Sequence, residues 1–274
     1  MANGASTLSA GPLRADSLDP NMVPDLTVVV PTRNERDNIA PLLRRLERVR
    51  PELDVEVLFV DDSTDETPEV IEIEARRSSR RVAVIHRSGG ERAGGLGGAV
   101  QAGMVAARGR LVCVMDADLQ HPPELLGALL DAGQGPDVDV VVASRYCERG
   151  EVGEFSTLRT LLSRASARAA KLLFPRRLRA VSDPMSGYFL IRRSSLDVVA
   201  LRPRGFKILL EILVSGHTFT VAEVPFRFGE RRAGDSKASV REGLRYLRRL
   251  IELRTLGQPR RFAGVAGVGA LGVA

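Results

Sequence analysis

The sequence predicts an α/β fold: a mostly parallel β-sheet with helices on both faces. Three observations carry that expectation. Short β-branched runs alternate with stretches of helical periodicity through the first half of the chain. The runs are continuously apolar, as in strands covered on both sides, where an exposed face would impose alternation. Each run is followed by carboxylates, prolines or arginines, the groups an open sheet presents at the ends of its strands, where ligands bind. A chain of 274 residues, 44% of them hydrophobic, has material for one large domain with an appendage.

Residues 1–24 are rich in Ala, Gly, Ser, Pro and Asp, lack periodicity and contain no apolar core of a secretory signal, so a flexible leader is expected. Leu26 to Val30 is the first strand, stopped by Pro31, and Ile39, Leu42, Leu43 and Leu46 recur at helical spacing after it. Val55 to Val60 repeats the pattern, ending in Asp61-Asp62-Ser63 before a helix through Val70, Ile71 and Ile73. Val82 to Ile85 is the third strand.

Glycines from Gly89 to Gly98 then precede a helix expected over Ala99–Ala107. They are not a dinucleotide fingerprint: Val100 stands where glycine or alanine is needed, and no acidic residue suits the ribose. A loop that lets the backbone approach a ligand is expected instead. Leu111 to Met115 and Val138 to Ala143 are further strands. A helix is expected over Phe155–Phe174, a turn at Asp183-Pro184-Met185-Ser186-Gly187-Tyr188 feeding another strand, an apolar helix over Phe206–Val214, and a late edge strand over Val221–Phe226 because of Pro225.

The stretch Leu111-Val112-Cys113-Val114-Met115-Asp116-Ala117-Asp118-Leu119-Gln120 organises the rest. Asp116 and Asp118 should emerge where the buried strand ends, and with the carbonyl of Gln120 they offer hard oxygen donors to Mg²⁺ or Mn²⁺. The plainer reading is a strand followed by a helix-capping turn, since His121-Pro122-Pro123-Glu124 resembles a helix start. His86 and His217 read as structural, whereas His121, beside the acidic run, is a candidate to touch a phosphate.

The charge balance is basic, 40 Lys+Arg against 34 Asp+Glu, which favours phosphate-bearing partners or an anionic membrane surface. Nucleic acid is not expected, because aromatic residues make up only 4% of the chain and tryptophan is absent. Cys113 and Cys147 lack metal-ligand spacing and read as reduced thiols of a cytosolic domain.

Beyond Lys237 the character changes. Val240, Leu244, Leu247 and Ile251 form one face of an arginine-rich helix over 239–257, suited either to an anionic lipid surface or to docking on the domain. Phe262 to Ala274 is 13 residues without a charged group. A span needs about 20. Residues 258–274 therefore read as the start of a truncated membrane segment, with Arg260 and Arg261 on the cytoplasmic side.

Taken together, Val30-Pro31-Thr32-Arg33-Asn34-Glu35, Val60-Asp61-Asp62-Ser63, Gly95-Leu96-Gly97, Asp116 to Glu124, Ser144-Arg145-Tyr146, Asp183 to Tyr188 and Arg231-Arg232-Ala233-Gly234-Asp235-Ser236-Lys237 resemble the family 2 glycosyltransferases, and within them the polyprenol (dolichol) phosphate mannose synthases. The resemblance implies a GT-A fold, Rossmann-like, over 25–238, followed by a juxtamembrane helix. It further implies inverting transfer of mannose from GDP-mannose to a polyprenyl phosphate, with a UDP-sugar enzyme as the alternative.

By position, it puts Pro31, Arg33, Glu35 and Asp62 on the nucleotide, joined by Asp116, Ala117, Asp118, Gln120, Arg231 and Lys237 around the nucleotide-sugar. Asp116, Asp118 and Gln120 would hold the metal, and Arg145, Arg159 and Ser163 the acceptor phosphate, with Asp116, Asp118 and Arg145 central to catalysis. Arg33 stands where the family carries an aromatic such as tyrosine, although a guanidinium plane can also stack. The Asp61–Thr67 loop is shorter than the usual form. The implied setting is the cytoplasmic face of the cell membrane.

Overall fold

The computed structural model describes residues 23–151, 157–201, 207–215, 218–229 and 240–255. In chain order its elements are β1 (Leu26–Thr32), α1 (Arg36–Leu46), β2 (Val55–Asp61), α2 (Thr67–Arg77), β3 (Arg81–His86), α3 (Gly95–Ala106), β4 (Leu111–Val114), α4 (Leu125–Ala132), β5 (Val140–Ser144), α5 (Thr157–Leu173), β6 (Phe189–Arg192), α6 (Ile208–Val214), β7 (Val221–Pro225) and α7 (Val240–Thr255). The seven strands form one sheet in the order β3-β2-β1-β4-β6-β5-β7. Every pairing is parallel except those of β6, which runs antiparallel to both β4 and β5.

Alternation of side chains along each strand divides the core into two layers. Val29, Val112, Val114, Val140 and Val142 point to the layer shared with α3, α5 and α6, while Val28, Val30, Cys113, Met115 and Val141 point to that shared with α1 and α4. Both faces of the central strands are therefore covered, which is why their sequences are continuously apolar. The expected late edge strand is β7, and Pro225 pairs with Ser144 at its end.

One boundary differs from expectation: the helix expected from Ala99 begins at Gly95, after Gly94 turns the chain at φ 81. Close packing fixes Gly98, where a Cβ would lie 2.2 Å from the Ala93 carbonyl oxygen, and, further along the helix, Gly103, where it would lie only 2.4 Å from Val29 Cγ1. Near the end of the C-terminal helix the apolar residues face two ways. Leu250 is fully buried in the α6 layer with Leu253 packed beside it, whereas Ile251 is 59% exposed. The reason is a buried ion pair that rotates α7 toward α6, with Arg249 Nη2 and Nε donating to Glu211 at 2.8 and 3.1 Å.

Among the described residues no helix is long and apolar enough to cross a membrane. Residues 1–22 of the leader and 256–274 of the apolar tail lie outside the described residues.

Gly103→Val places methyl groups where Val29 and Val60 already sit. It should cost about 1–3 kcal/mol in a urea titration, although valine is the better helix former. An unchanged midpoint would contradict the close approach of α3 to β1.

Candidate active site

Because β1, β2, β4 and β5 are parallel, their trailing residues reach one edge of the sheet. β6 is antiparallel, so the turn that precedes it, Asp183 to Tyr188, reaches that edge too. Pro31, Arg33, Glu35, Asp62, Asp116 to Gln120, Arg145 and Asp183 are brought there by five separate segments.

At the β1 and β2 ends a hydrogen-bonded frame fixes the loops. Asp61 is fully buried and accepts from Thr32 Oγ1 at 2.7 Å and from the Ser63 backbone N–H and hydroxyl at 3.1 and 2.5 Å, with His86 Nδ1 at 2.8 Å. His86 is thereby structural, as expected. The Asn34 N–H donates to Ser63 Oγ, its side-chain oxygen accepts from the Thr64 N–H, and the Glu35 N–H donates to Thr67 Oγ1. Asn34 adopts φ 59, the left-handed region that asparagine tolerates.

Asp62 is 8% exposed, and both its oxygens accept from Arg87, at 2.8 Å from Nε and 2.6 Å from Nη2. Arg87 Nη2 also donates to the Gly95 carbonyl, tying the β3 end and the start of α3 to Asp62. The sequence reading did not single out Arg87. Its signal is its position, the residue directly after a parallel strand and hence at this edge.

Past β4, the Asp116 N–H donates to His121 Nδ1 at 3.0 Å. His121 is 2% exposed and ringed by Tyr188, Phe228 and Phe226 with centroids at 5.2, 5.6 and 6.0 Å. Burial lowers its pKa to about 4, so the ring is neutral near pH 7 and Nδ1 is free to act as an acceptor. His121 thus fixes the backbone of the acidic run. This answers the phosphate expectation: a ring so enclosed supports Asp116 from behind.

Gly187 packs against this pair, since a Cβ there would be 3.1 Å from His121 Cε1 and 3.5 Å from Asp116 Oδ2. Asp118 is 6% exposed and its Oδ1 accepts from the Gln120 N–H at 3.1 Å across Leu119, which sits at φ 63. Gln120 Nε2 donates to the Gly229 carbonyl at 3.1 Å, so the oxygen of its side-chain amide is the end left for other partners.

Past β5, Arg145 lies in a fork with the fully buried Asp183, Nε to Oδ2 at 2.7 Å and Nη2 to Oδ1 at 3.0 Å. Burial opposes the charge on Arg145, but the carboxylate outweighs it and the guanidinium pKa is raised. Its plane also lies 5.3 Å from the Tyr146 ring centroid and 5.7 Å from that of Phe228. Asp183 is oriented in turn by Glu223 of β7, which accepts from the N–H groups of Ser182 and Asp183 and from the Ser182 hydroxyl. Tyr146 donates to Ser163 Oγ at 2.8 Å, so Ser163 of α5 joins the same corner. Arg231, Lys237 and the side chain of Arg159 lie outside the described residues, as does His217.

Among the described residues no group of three or more His, Cys, Asp or Glu could hold a metal by itself. Two carboxylates and an amide oxygen do fit a hard divalent cation whose remaining positions are filled by ligand phosphates and water. A soft or tetrahedral metal would want the thiolates or imidazoles that are lacking here.

A family model described as Glycosyl transferase family 2 matches residues 27–199, which takes in β1 through β6 and every segment of the edge just described. The chain belongs to glycosyl transferase family 2. Among relatives in this family, the dolichol-phosphate mannosyltransferase of Pyrococcus furiosus is 38% identical over 229 residues, covering 83% of this chain. This chain spans only 63% of that protein's length. The polyprenol monophosphomannose synthase of Mycolicibacterium smegmatis is 36% identical over 221 residues, covering 77% of this chain and 80% of its own. Among solved structures, glucosyl-3-phosphoglycerate synthase from Mycobacterium tuberculosis, in complex with Mn²⁺, UDP-glucose and phosphoglyceric acid, aligns with TM-score 0.58 at 21% identity, covering 86% of this chain and 81% of that one. That likeness establishes the GT-A fold expected of the family.

Asp183→Ala would leave the buried Arg145 guanidinium without its partner. A loss of about 3–5 kcal/mol in a denaturant melt is expected. A loss within the range of ordinary surface substitutions would show that Arg145 turns out to solvent.

Proposed function

We propose that this family 2 glycosyltransferase moves mannose from GDP-mannose to a polyprenyl, dolichyl-type phosphate, giving polyprenyl phosphate mannose and GDP with inversion at the sugar carbon. One observation carries the reading. Two carboxylates at the β4 end and a buried arginine at the β5 end share one edge of the sheet, in a chain more than one third identical to enzymes named for that reaction.

Asp116, Asp118 and Gln120 are the residues that would hold Mg²⁺ or Mn²⁺, and a solved structure of the same fold carries Mn²⁺. When bound, such a cation supplies charge compensation for the diphosphate leaving group. Pro31, Arg33, Glu35 and Asp62 would line the nucleotide, with Ala117 beneath the diphosphate and Arg231 and Lys237 reaching it from the loop before α7. On the acceptor side, Arg145, Arg159 and Ser163 would orient the lipid phosphate.

A phosphate monoester has a second pKa of about 6, so its oxygen is already anionic at neutral pH and attacks the sugar without a general base. The bond from sugar to diphosphate breaks as the bond to the acceptor oxygen forms. No proton needs to move, which suits an edge whose buried histidine is neutral and already engaged by a backbone N–H. The acceptor's lipid tail places the reaction at a membrane surface, and the reading puts it on the cytoplasmic face.

A UDP-sugar donor is the second reading, favoured by Arg33 at an aromatic position and by the short Asp61–Thr67 loop. The deciding experiment incubates the protein with radiolabelled GDP-mannose and short polyprenyl phosphates and extracts the product into organic solvent. Label in the organic phase is expected. Label only from UDP-sugars selects the second reading, and label from neither removes both.

In the same assay Asp118→Ala should abolish transfer while keeping a cooperative melt, and a chelator should do likewise to the unaltered protein. Transfer that persists in chelator would remove the metal. Arg145→Lys keeps the charge but loses the fork. It should raise KM for the lipid phosphate on the order of tenfold, leaving that for the donor nearly unchanged. Equal effects on both would contradict separate phosphate sites.

A further inference from the structure

A second basic feature lies at the other edge of the sheet. From Ser163, beside Tyr146 at the carboxyl end of β5, α5 continues to Leu173, and the chain just beyond it meets the segment leading into β7. There a cleft of about 660 Å³ opens, lined by Arg176, Arg177 and Arg254 with Phe174 and Leu253 as its apolar wall. Its described lining contains no carboxylate.

Arg177 is drawn inward, with Nη1 donating to the Ser215 carbonyl, while Arg176 and Arg254 are exposed. Two bare aliphatic side chains accompany them. Leu172, two residues before Phe174, is 82% exposed, and Ile251, one helical turn before Arg254, is 59% exposed. Arginines alone would serve a soluble anion. Neither aliphatic side chain lines the cleft, but Leu172 lies four residues before Arg176 and Ile251 three before Arg254, and large aliphatic groups standing in water there are explained by an interface that offers phosphate and hydrocarbon together.

We propose that this cleft docks the phosphate of an anionic phospholipid headgroup, with Leu172 and Ile251 entering the boundary between headgroups and acyl chains. The inference rests on the membrane-surface part of the function proposed above and is independent of the sugar and nucleotide. From Ser163 to Phe174 is 11 residues, roughly 16 Å of helix. A bilayer lying along α5 would therefore meet the acceptor corner and the cleft at once. Docking at the cleft would hold the carboxyl edge within reach of a lipid-borne phosphate.

The test sediments the full chain at low salt with vesicles of phosphatidylcholine alone or with added phosphatidylglycerol. Binding should require phosphatidylglycerol. Arg176→Gln and Arg254→Gln should each weaken it about fivefold, and lysine at the same positions should restore it. Arg76→Gln, an exposed arginine on α2, is the control and should leave binding unchanged.

Equal loss in the control would reduce the effect to net charge and overturn the proposal, as would equal binding to phosphatidylcholine alone. Displacement from the vesicles by millimolar glycerol phosphate would also overturn it, by showing a cleft for soluble phosphate. All variants should keep the melt of the unaltered protein and its transfer to a short, water-soluble polyprenyl phosphate. Absence of transfer in the unaltered protein would count against the proposed function and leave the vesicle result to stand or fall alone.

Discussion

The structure depends on the fact that a strand covered on both faces cannot carry an uncompensated charge. β4, with Val112 and Val114 in one layer and Cys113 and Met115 in the other, leaves its first possible place for a carboxylate at Asp116. The same holds for β2, where Asp61 remains inside only because three donors and His86 surround it. Asp61, the Asp62–Arg87 pair and the Arg145–Asp183 pair are matched and build the frame. Asp116, exposed enough to meet a ligand, stands where that frame opens.

Matching has a functional consequence as well as a structural one. Arg145 in a fork with Asp183 loses most of its rotamer freedom before any acceptor arrives, and its aromatic neighbours restrict it further. A preorganised guanidinium loses less entropy on meeting a phosphate than a free one. On the function proposed above, that preorganisation would favour the acceptor phosphate at the β5 end.

Legibility in the sequence followed the range of the interaction responsible. Strands and most helices could be read because their signals are local: a continuous apolar run, or Ile39, Leu42, Leu43 and Leu46 at helical spacing. Asp116 and Asp118 were equally local, the first and third residues past such a run. What stayed hidden involved partners far apart in the chain. Arg87 meets Asp62 across 25 residues and Asp183 meets Arg145 across 38, so neither pair has a spacing to recognise. On α3, Gly103 marks a close helix contact that only the distance to Val29 reveals. On α7 the apolar stripe left open whether Ile251 faces lipid or the domain, and Arg249 and Glu211 set the rotation that exposes it.

The reversal of β6 matters more than its single place in the sheet suggests. In a wholly parallel sheet a strand is led in from the amino edge, so the turn before it lies away from the ligand. Because β6 runs the other way, its leading turn arrives where β4 and β5 end. That is how Asp183 reaches Arg145 and how Gly187 comes to lie against Asp116 and His121. Lys207, just before α6, donates to the Met185 carbonyl of this turn, and α6 carries the glutamate that binds Arg249 of α7. The turn therefore joins the two carboxylates and Arg145 to the arginine-rich C-terminal helix by way of Lys207 and α6.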